Sequence, residues 1–227
     1  MDEKLKKEFI SFLIDSNVLT FGEFITKSKR KTPYFINSGN FKTGKQLNRL
    51  GGFYAKLIME KKIKFDALFG PAYKGIALAV SCCNALFVNY DVNVPFFFNR
   101  KEEKDHGEGG SFIGYKPKAK EQIIIIEDVL TAGTAISEVV PVLKSTYDIC
   151  CEEMFVMVDR CEVGLNLKQK ATTYLKETFN INVNSLVNIL DILEYVKNNE
   201  NYLKYLKDMK DYINQYCKFW YKNLLYI

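Results

Sequence analysis

The sequence predicts an α/β fold: a central parallel sheet with helices on both faces. Two observations carry that prediction. Residues 123–126 are four consecutive isoleucines, and a run apolar on both faces marks a strand buried inside a parallel sheet. Around it, short apolar runs alternate with helix-like segments, the pattern of strand–helix–strand units. Size and composition agree. The chain has 227 residues, 48% hydrophobic and 26% charged, which suits one globular domain with at most an appendage. Disordered, collagen-like and coiled-coil classes are excluded. Folding at this length buries roughly 70% of the unfolded surface, so no metal or disulfide is needed to hold the chain together.

In order along the chain, residues 2–14 place Leu5, Phe9, Phe12 and Leu13 at helical spacing, an amphipathic opening helix. Residues 18–41 mix Gly22, Pro33 and Gly39 with aromatic and β-branched residues and read as short strands and turns. Residues 45–60 read as a helix despite Gly51-Gly52. Residues 65–69 form a buried strand ended by Gly70-Pro71, then 74–87 a helix and 94–98 a strand. Residues 99–114 hold four glycines and dense charge of both signs, a long loop rather than a linker. The isoleucine strand ends in Glu127-Asp128, followed by VLTAGTA and a helix from about Ala135 to Tyr147. A further strand over 153–158 ends at Asp159-Arg160, and no internal repeat is present.

The segment 196–227 changes character. It lacks Gly and Pro and carries six Lys against three acids, about half of the net +5. Tyr202, Leu206, Met209, Ile213, Tyr216 and Trp220 lie on one helical stripe. The stripe reads as a terminal helix packing on its own domain or across a dimer. A basic surface helix for a membrane or partner is the alternative, and a tyrosine-rich stripe suits protein packing better.

The charge balance, 32 basic against 27 acidic residues, fits an anionic small substrate and points only weakly to nucleic acid. The six cysteines include two adjacent pairs and no C-x-x-C, so they read as reduced thiols in a reducing compartment. MDEKLKKEF lacks the apolar core of a signal peptide, and no apolar run approaches the ~18 residues of a membrane span. A soluble cytoplasmic protein, binding neither membrane nor nucleic acid, is the expectation.

The chemistry concentrates in IIIIEDVLTAGTA, residues 123–135. Ligands of open α/β sheets bind outside the carboxyl ends of the strands. Here a buried strand delivers Glu127 and Asp128 to that edge, ahead of a tight loop and a helix start. Backbone N–H groups of Thr131–Ala135, the hydroxyls of Thr131 and Thr134, and the helix dipole make an anion site. An acidic pair beside a phosphate cradle suits a ribose 5-phosphate. It is not a Walker A loop, because no Gly-Lys-Ser/Thr follows. The blander reading is a strand leading to an N-capped helix.

This motif resembles the ribose-phosphate signature of the type I phosphoribosyltransferases. Three further segments resemble the orotate phosphoribosyltransferases within them: KSKRKTPYFINSG at 27–39, GPAYKGIALA at 70–79 and FNRKEEKDHGEGGSFIG at 98–114. The resemblance spans about residues 5–195. It implies the type I fold on 1–195, with a small hood formed largely by 1–41 and an extra C-terminal helical tail at 196–227. It implies Mg²⁺-dependent transfer of a phosphoribosyl group from phosphoribosyl pyrophosphate to orotate, giving orotidine 5′-monophosphate in pyrimidine (UMP) synthesis.

Roles follow by the same resemblance. Lys27, Phe35, Ile36, Thr131 and Arg160 would bind orotate, with Arg160 on its carboxylate. Tyr73, Lys74, Arg100, Lys101, Lys104 and His106 would bind phosphoribosyl pyrophosphate, together with Glu127, Asp128, Val129, Leu130, Thr131, Ala132, Gly133, Thr134 and Ala135. Lys101, Lys104, His106 and Asp128 would be catalytic. The metal would be held mainly through the substrate. The charged loop would act in a neighbouring subunit's site, which requires a homodimer, and a separate orotidylate decarboxylase is a conceivable partner. Two departures stand out: Ile36 where the family often has Phe, and Glu127 where it commonly has Asp. Taken singly, Lys74 and His106 also read as solvated side chains, and Asp159–Arg160 as a surface ion pair. The alternatives for the whole chain are a phosphoribosyltransferase for another base, or a ligand-sensing regulator on the same fold.

Overall fold

The structure is a computed structural model that describes residues 1–25, 31–101, 111–165 and 168–217. Helix α1 (Glu3–Asp15) starts where the Asp2 carboxylate accepts the Leu5 N–H at 2.7 Å, and it buries Phe9, Ile10, Phe12 and Leu13. Strands β1 (Leu19–Ile25) and β2 (Lys31–Ile36) pair antiparallel as a separate two-stranded sheet. Helix α2 (Gly44–Lys61) opens with a capping box between Thr43 and Gln46. After it come β3 (Ala67–Phe69), α3 (Lys74–Tyr90), β4 (Phe96–Asn99), β5 (Phe112–Gly114), β6 (Gln122–Leu130), α4 (Thr134–Tyr147) and β7 (Cys150–Asp159). The last elements are α5 (Ala171–Phe179), β8 (Asn182–Asn188), α6 (Ile189–Lys197) and α7 (Leu206–Tyr216).

Among the described residues the main sheet has six strands in the order β5-β4-β3-β6-β7-β8. All neighbours are parallel except β4 and β5. The isoleucine run lies at the centre and divides its side chains between the faces. Ile124 and Ile126 join the core formed with α1, α2, α3, α6 and α7. Ile123 and Ile125 join the core under α4 and α5. Each such side chain, fully buried, contributes about 1.5–3 kcal/mol of transfer free energy. Gly51 explains itself on the first face: a Cβ there would lie 2.2 Å from the Ser81 carbonyl oxygen, so α2 and α3 approach closely only because it is absent.

Three features differ from the sequence expectations. Residues 112–114, taken as the end of a loop, form β5 and give the sheet an antiparallel edge, with Phe112 packed near Phe69, Phe97 and Tyr147. β6 does not end at Glu127-Asp128 but runs on to Leu130, because its ladder with β7 continues to Leu130↔Asp159. Residues 161–195 carried no expected element, yet hold α5, β8 and α6. β8 reads NVNSLVN, too polar to announce itself as a sheet strand.

The C-terminal segment packs on its own chain. Met209, Tyr212 and Ile213 of α7 are buried in the same core as Phe9 and Leu186. Tyr202 and Tyr205 place their rings 5.1 and 5.5 Å from Phe21. α6 runs straight through the boundary drawn at 195/196. Trp220, the last residue of the expected stripe, lies outside the described residues. All six cysteines are free thiols. Among the described residues, no helix is long and apolar enough to cross a membrane.

Candidate active site

The carboxyl ends of β3 and β6 open into a cavity of about 570 Å³. Tyr73 and Lys74 enter it at the start of α3, Lys101 from just past β4, and Glu127–Thr131 with Gly133–Ala135 from the end of β6 and its connection to α4. The acidic pair and the anion cradle expected from the sequence therefore share one space with two lysines. Gly133 makes the connection workable. Its φ is +87° as it caps α4, a left-handed conformation that costs glycine little, and the α4 N-terminus faces the cavity as a positive dipole end. Ala132 is absent from the cavity wall.

Asp128 is the fixed point. Buried at 9% exposure, it accepts the Ser38 hydroxyl at 2.5 Å and the Lys74 ammonium at 3.2 Å on Oδ2, and the Val129 N–H at 2.7 Å on Oδ1. Ser38 follows β2, so one hydrogen bond ties the N-terminal region to the centre of the sheet. Glu127 is held differently. Its Oε1 accepts the Asp128 N–H at 2.9 Å, while the buried Tyr54 hydroxyl donates to its backbone carbonyl at 2.6 Å. Burial first, and the neighbouring Asp128 charge second, push the Glu127 carboxyl above its ordinary value. The Ala72 N–H donates to Asn99 Oδ1 at 2.8 Å, joining the turn before α3 to the end of β4. The Lys101 ammonium sits 5.3 Å from the centre of the Tyr73 ring.

Other expected site residues lie elsewhere. Arg100 lines an adjoining cavity of about 410 Å³ that also includes Asn99, Ser111 and Glu138. Phe35 is exposed and stacks on Phe24 at 5.5 Å, while Ile36 is buried against β1. Lys27, Lys104 and His106 lie outside the described residues.

Arg160 corrects the surface-pair reading. It is buried at 7% exposure, and its partner is Glu162, whose Oε1 accepts the Nε–H at 2.8 Å. Its Nη2 donates to the Tyr212 hydroxyl at 2.7 Å, and the guanidinium lies 4.6 Å from the Tyr34 ring centre. Asp159 instead accepts the Cys161 N–H at 2.8 Å, and burial raises its carboxyl to about 6. Sequence reasoning missed Ser38, Tyr34, Glu162 and Tyr212. Ser38 and Tyr34 fall inside the 27–39 segment already singled out, whereas nothing in the sequence ties Tyr212 to Arg160.

Comparisons with known proteins bear on the same residues. The family model of the phosphoribosyl transferase domain matches residues 38–187. The orotate phosphoribosyltransferase of Clostridium acetobutylicum is 49% identical over 219 residues, 95% of this chain and 97% of that protein. That alignment is too long to stop at residue 195, so the likeness reaches into the C-terminal segment. A crystal structure of orotate phosphoribosyltransferase from Francisella tularensis superposes with a TM-score of 0.80 at 37% identity, covering 92% of this chain and 98% of that one. The UMP synthase structure of Leishmania donovani shares the fold, with a TM-score of 0.74 at 22% identity over 93% of this chain and 42% of that one.

Proposed function

The chain belongs to the orotate phosphoribosyltransferases, within the phosphoribosyl transferase family, and from that premise we propose how its own residues divide the work. The reaction joins orotate to 5-phospho-α-D-ribose 1-diphosphate. A ring nitrogen of anionic orotate forms a bond to C1 of the ribose, the bond from C1 to the pyrophosphate oxygen breaks, and pyrophosphate leaves with the electron pair. The products are orotidine 5′-monophosphate and pyrophosphate, a step in making pyrimidine nucleotides. Displacement at a sugar C1 passes through an oxocarbenium-like state, as in glycoside cleavage. No covalent nucleophile is needed, so catalysis is positioning plus electrostatic stabilisation.

The observation that carries this reading is the single cavity holding the acidic pair, the α4 N-terminus and Lys74. Thr131–Ala135 take the 5′-phosphate, where backbone donors and the helix dipole converge. Asp128, fixed by Ser38 and Lys74, accepts a ribose hydroxyl. Glu127, the longer side chain, contributes beside it. Lys74 and Tyr73 with Arg100, Lys101, Lys104 and His106 bind the pyrophosphate as it departs. Lys27, Phe35 and Ile36 hold the pyrimidine, and Arg160 its carboxylate, for which a guanidinium fork is the matching shape.

Mg²⁺ fits this donor set. It prefers oxygen ligands and often binds through substrate phosphates, and the cavity offers carboxylate oxygens at Glu127 and Asp128. Such an ion would take most of its ligands from the substrate. When bound, the ion neutralises charge on the leaving pyrophosphate. We further take the enzyme to be a cytoplasmic homodimer in which the 98–114 loop of one subunit completes the site of its neighbour. An orotidylate decarboxylase would consume the product.

The test is loss of orotate ultraviolet absorbance with phosphoribosyl pyrophosphate and Mg²⁺. Turnover that disappears when either is omitted is the expected result. A folded protein that binds phosphoribosyl pyrophosphate and leaves orotate untouched would overturn the reading in favour of another base or a ligand-sensing role.

A further inference from the structure

Arg160 does not stand alone at the end of β7. Its Nε–H reaches Glu162 Oε1 at 2.8 Å and its Nη2 reaches the Tyr212 oxygen at 2.7 Å. The Tyr212 hydroxyl donates in turn to the same Glu162 oxygen at 2.6 Å. The three side chains close a ring in which one hydroxyl accepts from the cation and donates to its counter-ion. One aromatic face fixes the guanidinium plane, with the Tyr34 ring centre 4.6 Å away, while Tyr212 meets the guanidinium through its hydroxyl. Cys217, just past α7, touches the backbone of the same residue, its Sγ lying 3.4 Å from the Arg160 carbonyl oxygen.

Packing alone does not call for this ring. Met209 and Ile213 already seat α7 with no exposure at all, and Glu162 already balances the buried charge. The hydroxyl adds orientation. A guanidinium has five N–H donors in a rigid fork, and these contacts use two of them. The edge between Nη1 and Nη2 is the one a carboxylate would take in bidentate fashion. Tyr34, whose ring lies under the guanidinium, directly precedes Phe35 and Ile36, the residues assigned to the pyrimidine. Its own hydroxyl is fully buried with no hydrogen-bond partner among the described residues, so this region carries more polar capacity than its side chains use up.

We propose that Tyr212, on the C-terminal helix, is a positioning residue for the base site: its hydroxyl sets the plane of the Arg160 fork that takes the carboxylate of the base. This rests on the assignment of Arg160 to that carboxylate. The C-terminal segment thereby becomes part of what distinguishes a carboxylated pyrimidine from a plain one.

The test uses the full chain with Tyr212→Phe, which keeps the ring packed against Tyr34 and Tyr216 and removes only the hydroxyl. Losing a hydrogen bond to a charged group predicts a rise of about tenfold in KM for orotate, with kcat and KM for phosphoribosyl pyrophosphate nearly unchanged. Binding of orotidine 5′-monophosphate weakens by a similar factor, whereas binding of uridine 5′-monophosphate, which lacks the carboxylate, does not. Both are measured well below the melting temperature of the variant, so a loss of stability leaves the ratio readable. Equal weakening of the two nucleotides would assign the hydroxyl to the fold and overturn the proposal. So would an unchanged KM for orotate in Tyr212→Phe while Arg160→Lys raises it, although Arg160 would then keep its role. No effect of Arg160→Lys on orotate would remove the base-site assignment itself, and the proposal with it.

Discussion

Replacing Ser38 by Ala isolates the bond between the N-terminal region and the sheet. Ser38 donates to Asp128 Oδ2 at 2.5 Å. The Asp128 side chain is only 12% exposed, and the other partner of Oδ2, Lys74, is 53% exposed at 3.2 Å. Water already screens that ammonium, so it replaces little of what the hydroxyl supplies. A hydrogen bond to a buried charge contributes about 1.5–3 kcal/mol, and the burial argues for the middle of that range. Ser38→Ala should therefore cost about 2 kcal/mol, which in a domain of this size lowers Tm by about 4–8 °C. Urea unfolding gives the number directly. The same change made on top of Asp128→Asn should cost clearly less, because the charged acceptor has gone. A loss below about 0.5 kcal/mol, or the same loss in both backgrounds, would show that Ser38 does not hold Asp128 as the distances imply.

Three further predictions are independent of that one. Gly51→Ala drives a Cβ to within 2.2 Å of the Ser81 carbonyl and should cost about 1–3 kcal/mol by overpacking. Its neighbour Gly52→Ala meets nothing within 4 Å and should gain about 0.5–1 kcal/mol; paired thermal melts separate the two. Lys101→Ala and Lys104→Ala should cut turnover at least tenfold while Tm stays within a few degrees, about the range of a surface change. Matched losses of folding and activity would refute a role for the loop in catalysis. Asp159 has its carboxyl raised by burial from 3.8 to about 6, so the protonated form is the one folding favours. Its contribution is complete below about pH 4 and is lost as pH rises through 6, roughly 3 kcal/mol in all. Asp159→Asn keeps an acceptor for the Cys161 N–H and should flatten that fall; stability curves of parallel slope between pH 4 and 6 would count against it.

Much of the fold was legible because burial on both faces leaves an unmixed apolar string. Ile123–Ile126 reads as a central strand, and the strand's position puts Glu127 and Asp128 at a ligand edge. The motif residues of that edge came together in one cavity for the same local reason: each follows directly from a strand end. β8 was illegible because its outward and inward residues alternate among Asn, Val and Ser. Ser38 and Tyr212 were illegible as site residues for another reason. Their contacts span 90 residues from Ser38 to Asp128 and 52 from Arg160 to Tyr212, and no periodicity within a window encodes a partner at that distance. Arg160 shows both sides: its place after a strand was readable, and its buried ring of partners was not.

The antiparallel edge has a consequence for how the charged loop can change over time. The loop leaves the fold and re-enters it at neighbouring rungs, with Asn99 opposite Phe112 and the Arg100 N–H donating to the Ser111 carbonyl at 2.7 Å. Phe112 anchors the returning rung, its ring 5.4 Å from that of Tyr147. Chain inserted between the rungs leaves the ladder intact, and doubling a loop's length adds only about 0.6 kcal/mol of closure entropy. A single residue deleted from the stem would instead turn Phe112 toward the opposite face. The register of the rungs Asn99–Phe112 and Arg100–Ser111 is therefore the unforgiving part of this edge: Phe112 keeps its seat against Tyr147 only while both rungs hold.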